Sequence, residues 1–128
     1  MNAVDANVVV RFITRDDADQ GRIAADFIRE GVFVSDTVLM ETEWVLRSKY
    51  RKSRSEINDA LRTLLDTETV STREPASLAW ALDRHAAGAD WADMLHLLSV
   101  RELTLFATFD RKLRAQAGPT APIEIISL

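Results

Sequence analysis

Ala89-Asp90-Trp91-Ala92-Asp93-Met94-Leu95-His96-Leu97-Leu98, followed by Thr104-Leu105-Phe106-Ala107-Thr108-Phe109-Asp110, is the stretch on which the fold turns. Two acids open an apolar helical pattern. A short β-branched and aromatic run follows and ends on a third acid. Helix, strand and a terminal acid in that order describe one step of an alternating α/β chain. In such chains, ligands bind beyond the carboxyl ends of parallel strands, where Asp110 falls.

The chain has 128 residues, enough for one domain with a real core, and we read residues 1–128 as a single domain. Hydrophobic residues make up 47% and charged residues 28%, the balance of an ordinary globular protein. No apolar run approaches the roughly 20 residues of a membrane helix, and no signal-peptide pattern opens the chain, so a cytoplasmic location is expected. There is no cysteine, which excludes disulfides and thiolate zinc sites and leaves oxygen as the natural metal donor. The net charge is −4, with 20 acids against 16 bases, so contact with a polyanion requires a local basic patch.

Working outward, the remaining segments alternate in the same way. Residues 2–6 and 8–10, apolar around Asp5, read as a buried strand running into a turn. Asp16-Asp17 precede a helix with Ile23, Ala24, Phe27 and Ile28 on its core side, closed by Gly31. Val32–Val34 is a strand. Ser35 caps a helix over about 36–50 whose core stripe is Val38, Leu39, Val45 and Leu46. Ser53-x-x-Glu56 is a capping box opening another helix. Residues 68–71 form a polar strand, and Glu74-Pro75 starts a helix that stops at Gly88. Asp90 caps the next helix. Residues 104–108, 110–117 and 123–127 follow as strand, short helix and strand.

The acids then need an explanation. Asp5 stands in an apolar segment, where a carboxylate needs a cation, a partner or a capping role. Asn7 would cap a following helix or bond that carboxylate. Glu41 and Glu43 lie two apart on one helix and project about 200° apart. Glu43 has Arg47 at i+4, an exposed ion pair. Glu41 sits among Val38, Trp44 and Val45 with no base at i±3 or i±4, which makes it the better ligand candidate. Asp90 and Asp93 occupy the N-cap and third position of one helix, where free N–H groups and the helix dipole favour acids. Asp93 shares a face with Leu97 and Val100, so it is assigned to the site and Asp90 to capping or support. Asp110 follows Thr108, whose hydroxyl lies at the same strand end, and N-capping accounts for it equally well taken alone. Together Asp5, Glu41, Asp93 and Asp110 offer hard oxygen ligands suited to Mg²⁺ or Mn²⁺. A divalent ion so held suits phosphodiester hydrolysis, since it activates water and neutralises charge on the attacked phosphate.

These blocks resemble the PIN-domain ribonucleases, and within them the VapC-like toxins of bacterial toxin–antitoxin pairs. The resemblance rests on Val4-Asp5-Ala6-Asn7-Val8-Val9, on Val38 through Leu46 with Glu41 inside it, on Ala89 through His96, and on Ala107-Thr108-Phe109-Asp110. It covers nearly the whole chain, and the order and spacing of the four blocks carry it. It implies a three-layer fold with a parallel sheet in the order 3-2-1-4-5 flanked by helices. The family's four acids fall on Asp5, Glu41, Asp93 and Asp110. The implied activity is Mg²⁺- or Mn²⁺-dependent endonucleolytic cleavage of RNA, leaving 5′-phosphate and 3′-hydroxyl ends. The implied partners are a second copy of the chain and an antitoxin that covers the active site. Ala6 stands where many members carry threonine or serine, and Trp91 where phenylalanine is more usual.

Arg47, Lys49, Arg51, Lys52 and Arg54 crowd one helix end and the next turn with no acid among them. They are candidate RNA contacts, with Arg11, Arg15 and Arg111 near the acids. A solvated basic face at a helix C-terminus explains the same cluster. His96 is expected to pack in its apolar surroundings and His85 to lie on the surface. Trp44, Trp80 and Trp91 are expected in the core or at a dimer contact. A housekeeping RNA-maturation nuclease and a non-catalytic module with capping acids remain as alternatives. A phosphoryl-accepting aspartate fits poorly, because Lys112 is not placed as the lysine of such sites.

Overall fold

The computed structural model describes residues 1–128 and contains two compact units, Met1–Pro75 and Ala76–Leu128. The first unit holds strand β1 (Asn2–Ala3), helices α1 (Ala6–Thr14) and α2 (Ala18–Arg29), strand β2 (Val32–Phe33), helices α3 (Asp36–Ser48) and α4 (Arg54–Asp66), and strand β3 (Val70–Ser71). Its sheet is parallel, with β2 between β1 and β3; Asn2 pairs with Val32 and Val32 with Val70. Helix α1 packs on α2 and α3, and α3 on α4. The side chains that fill this unit are Val9, Val10, Ile28, Val32, Val34, Leu39, Leu46, Ile57, Leu61 and Leu64.

The second unit holds α5 (Pro75–Ala86, its first residue at the boundary), α6 (Trp91–Ser99), β4 (Leu105–Thr108), α7 (Leu113–Ala117) and β5 (Glu124–Ser127). Strands β4 and β5 pair in parallel. Leu78, Ala81 and Leu82 on α5, Trp91, Met94, Leu95, Leu97 and Leu98 on α6, and Ile123 and Ile125 form its interior. The α/β class with parallel pairing is the expected one. The expected order appears as two hydrogen-bonded pieces, 3-2-1 and 4-5.

The helix starts follow local chemistry. Asp5, Asp17, Ser35, Ser53 and Asp90 each sit in extended backbone and accept the N–H three residues on. The Ser53–Glu56 capping box is complete in both directions. Gly31 and Gly88 follow α2 and α5 in left-handed backbone, φ 104° and 114°, a conformation that strains any residue with a Cβ.

Several expectations are corrected. Residues 8–10 are not strand. Once the Asp5 carboxylate bonds the Val8 N–H at 3.1 Å, the chain turns into helix α1, burying Val9 and Val10. Asp5 itself is exposed. In α3 the buried residues are Leu39, Thr42, Glu43 and Leu46, while Val38 and Val45 are half-buried. His85 is buried, its ring edge-on to Trp91 at 5.8 Å, and His96 is exposed. Trp44 is half exposed. Helix α7 begins at Leu113, later than expected, because Asp110 closes a turn of its own.

Two substitutions grade these contributions. Ser53→Ala removes an N-cap and should cost about 1 kcal/mol, whereas Leu61→Ala, at a position with no exposed surface, should cost about 2–5 kcal/mol. Urea unfolding followed by circular dichroism measures both as shifts of midpoint at constant slope.

Candidate active site

In the second unit, the first turn of α6 and the end of β4 bring three carboxylates into one electrostatic neighbourhood. The Asp90 carboxylate accepts the Asp93 N–H at 2.9 Å, which caps α6 and fixes the start of that turn. The Asp93 side chain is half-buried and accepts no such bond. Its carboxyl is pushed above the ordinary aspartate range, first by burial, then by the negative charge of Asp90, with Asp110 adding to it. His96, one turn on, acts in the opposite direction.

Asp110 is placed by its own backbone. Its N–H donates to the Thr108 Oγ1 at 2.9 Å, and its carboxylate accepts the Lys112 N–H at 2.9 Å. The side chain is therefore oriented at the strand end without help from another acid. Thr108 acts through Asp110, as a support for it.

In the first unit, Asp5 is the N-cap of α1, and Asn7 is an exposed residue within that helix. Asp5, Asn7 and Val8 border a cavity of about 510 Å³ with Ile23 and Phe27 of α2 on its other side. Ile23 and Phe27 are 62% and 40% exposed, so this wall is apolar and open to solvent. Glu41 lies on the exposed face of α3 and makes no bond within the protein. Its neighbour two residues on differs sharply. Glu43 is 5% exposed and accepts from Arg47 Nε at 2.8 Å and Nη2 at 3.3 Å. The pair is the expected one, but it is buried at its acidic end. A buried carboxylate must be bonded, and Arg47 supplies that bond.

Arg11 is engaged inside the protein. Its Nη1 donates to both Asp16 oxygens at 3.1 Å and to Tyr50 Oη at 2.8 Å, and its Nε donates to Gln20 Oε1 at 2.7 Å. Tyr50 Oη donates to Asp16 at 2.8 Å, and Thr14 adds a bond of 2.8 Å. This network ties the end of α1 and the α1–α2 loop to the residue two past α3. Sequence reasoning missed it, since Asp16 and Tyr50 are 34 positions apart. It also fixes the basic turn. Lys49, Arg51 and Lys52 are exposed there; Tyr50 and Lys52 donate to Val45 and Leu46 carbonyls at 3.3 and 3.0 Å, with Arg51 left-handed at φ 53°. Arg111 is exposed beside Asp110.

The donor set suits a hard divalent cation: carboxylates and a hydroxyl, no sulfur, and a half-buried Asp93 whose charged form is disfavoured chiefly by burial. No three His, Asp or Glu side chains lie close enough together to hold a metal by themselves.

The family model of the PIN domain matches residues 3–119. The chain belongs to the PIN domain family. PIN domains are generally nucleases acting on RNA, and they typically use divalent metals. The match runs from before Asp5 to beyond Asp110, so all four acid positions lie inside it. No curated protein matches the chain. No helix of this PIN domain is long and apolar enough to cross a membrane.

Two titrations check these placements. Hydrogen bonds from Tyr50 and Thr14, and the Arg11 charge, hold the Asp16 carboxyl below the usual range. Its contribution to stability is therefore present above the ordinary aspartate pKa and is lost as pH falls through the lower folded value. Carboxyl NMR should find Asp16 titrating low in the wild type and moving up toward the ordinary value in Tyr50→Phe. Asp93 has the opposite sign: its raised folded pKa removes stability as pH rises from the unfolded value through the folded one. Asp93→Asn should accordingly melt higher than the wild type at neutral pH in chelator, with the difference vanishing at acid pH.

Proposed function

We propose that this chain is a metal-dependent endoribonuclease, the toxin of a toxin–antitoxin pair that acts in the cytoplasm to inhibit translation or growth. The observation that carries the reading is Asp93, half-buried in a PIN domain, its carboxylate destabilised first by that burial and then by Asp90 and Asp110. Such a position favours a cation in place of a proton. Asp5, Glu41, Asp93 and Asp110 are the proposed ligands of Mg²⁺ or Mn²⁺, within one catalytic domain. When bound, the ion supplies Lewis acidity toward the phosphate and a lowered pKa for water.

The protein's own residues orient and hold. Asp90 keeps the first turn of α6 in place, so that Asp93 presents its carboxylate from a rigid element. Thr108 and the Lys112 N–H orient Asp110. Asn7 and Asp90 are proposed as supports next to Asp5 and Asp93. Arg47, Lys49, Arg51, Lys52 and Arg111 are proposed to meet RNA phosphates. Arg11 is proposed to serve the same contact by holding Tyr50, and with it the turn that carries Lys49, Arg51 and Lys52.

The partners follow from the same reading. The cavity beside Asp5, walled by Ile23 and Phe27, supports an antitoxin that covers the site. Exposed Leu103, Leu105 and Phe109 support a homodimer.

Purified protein should cut total cellular RNA into discrete fragments with Mg²⁺ or Mn²⁺ and not with chelator. Asp93→Asn should lose more than about 100-fold in rate, beyond the 10- to 100-fold expected of an outer-shell partner. Fragments that persist in chelator, or in Asp93→Asn at wild-type rate, would refute the assignment.

A further inference from the structure

A second feature of the Ala76–Leu128 unit is a cavity of about 390 Å³ walled by Arg84, Gly88, Ala89, Arg111, Lys112 and Gln116, with further alanines. No acid lines it, in a chain where acids outnumber bases 20 to 16. None of its three cations forms an ion pair. Arg84 is preset rather than mobile. Its Nε donates to the Gln116 carbonyl at 2.7 Å and its Nη2 to that of Ala115 at 3.4 Å, leaving Nη1 unengaged. Gly118 makes room for it, since a Cβ there would lie 2.9 Å from the Arg84 Cζ. The small residues leave the volume open. The Gln116 side-chain oxygen is buried behind this wall with no hydrogen-bond partner.

The cavity shares backbone with the acidic cluster. Ala89 directly precedes Asp90, and Arg111 and Lys112 directly follow Asp110. A cation-lined recess attached to both ends of a carboxylate cluster gives a nucleic-acid strand an anchor for one phosphate beside the point where another meets the acids. The volume takes a phosphate with its sugar.

We propose that this cavity is a phosphate–ribose subsite for the RNA strand, flanking the cleaved bond; the proposal rests on the ribonuclease reading. The test is binding, measured in chelator so that no cleavage occurs. Anisotropy of a short labelled RNA should show Arg111→Gln/Lys112→Gln binding about tenfold more weakly than wild type. The slope of log affinity against log salt should fall by about one or two, the number of cations removed from phosphate contact. Ala115→Tyr keeps every charge but fills the recess, and should weaken binding as well. Melting temperatures equal to wild type exclude unfolding as the cause. Unchanged affinity and slope in the double variant would overturn the proposal. So would a normal Ala115→Tyr, because the cations would then act from the open surface. Inorganic phosphate provides the second arm. If it shifts the Gly88, Ala89 and Lys112 amides in NMR while RNA neither binds nor is cut, the cavity takes a free anion, and both the strand subsite and the nuclease reading fall. If wild type cuts RNA and the double variant binds it normally, only the subsite falls.

Discussion

The partial burial of Asp93 at the first turn of α6 is the constraint that the second unit has to meet. Burial first, and then the charges of Asp90 and Asp110, disfavour its charged form. The fold tolerates this because two of the three acids are stabilised by main chain. Asp90 accepts the N–H of Asp93, and Asp110 accepts that of Lys112. Only Asp93 is left without such a bond, and it stands on a helix whose other face is anchored by Trp91, Met94, Leu95 and Leu98. That anchor prevents the turn from swinging outward to relieve the repulsion. A rigid element that holds a carboxylate with a raised pKa is a common feature of functional sites.

The first unit handles its acids differently. Asp5 is occupied as a helix cap, yet its second carboxylate oxygen remains exposed beside an apolar cavity. Glu43 is buried and neutralised by Arg47, whereas Glu41, two residues away, is exposed and unpaired. The first arrangement stabilises α3, and the second leaves an exposed charge. A similar division separates the arginines. Arg11 is committed to Asp16, Gln20 and Tyr50, and this commitment fixes the turn on which Lys49, Arg51 and Lys52 remain free to meet an anion.

Where the determinants are local, the sequence was readable. The caps at Asp17, Ser35, Ser53 and Asp90 act on the N–H three residues ahead, and the αL glycines close helices at fixed points, so these boundaries were visible in the residues themselves. Val8-Val9-Val10 was not, because a run of β-branched residues satisfies a buried strand and a buried helix face alike. The tie was broken by the Asp5 cap. The histidines show a signal that was present but weighed by neighbours rather than by period. His85 falls at i+3, i+4 and i+7 from Leu82, Ala81 and Leu78, all buried. His96 falls off the Trp91–Met94–Leu95–Leu98 stripe, on the side of Asp93. The burial of Glu43 was out of reach, since both glutamates flank the core stripe and only packing of α3 against α1 and α4 selects between them. The four acids proposed for the site were chosen by pattern alone. The burial that chiefly raises the Asp93 carboxyl, and the smaller effect of Asp110, needed the fold.

A protein of net charge −4 that acts on a polyanion must keep its acids from repelling the substrate. Separation by distance suffices, because at physiological salt exposed charges beyond about 8 Å are largely screened. Each unit then needs only a local excess of cations. The first has the Lys49–Lys52 turn, held by Tyr50. The second has Arg84, Arg111 and Lys112 around one recess, attached to the chain segments that bear Asp90 and Asp110. Net charge therefore says little about whether such a chain binds RNA. The informative quantity is whether cations lie next to the carboxylates in sequence, on backbone held by hydrogen bonds. Asp110-Arg111-Lys112 meets that condition in three consecutive residues: the acid is oriented by the backbone N–H of the lysine, so the acid and the backbone that bears both cations belong to one turn.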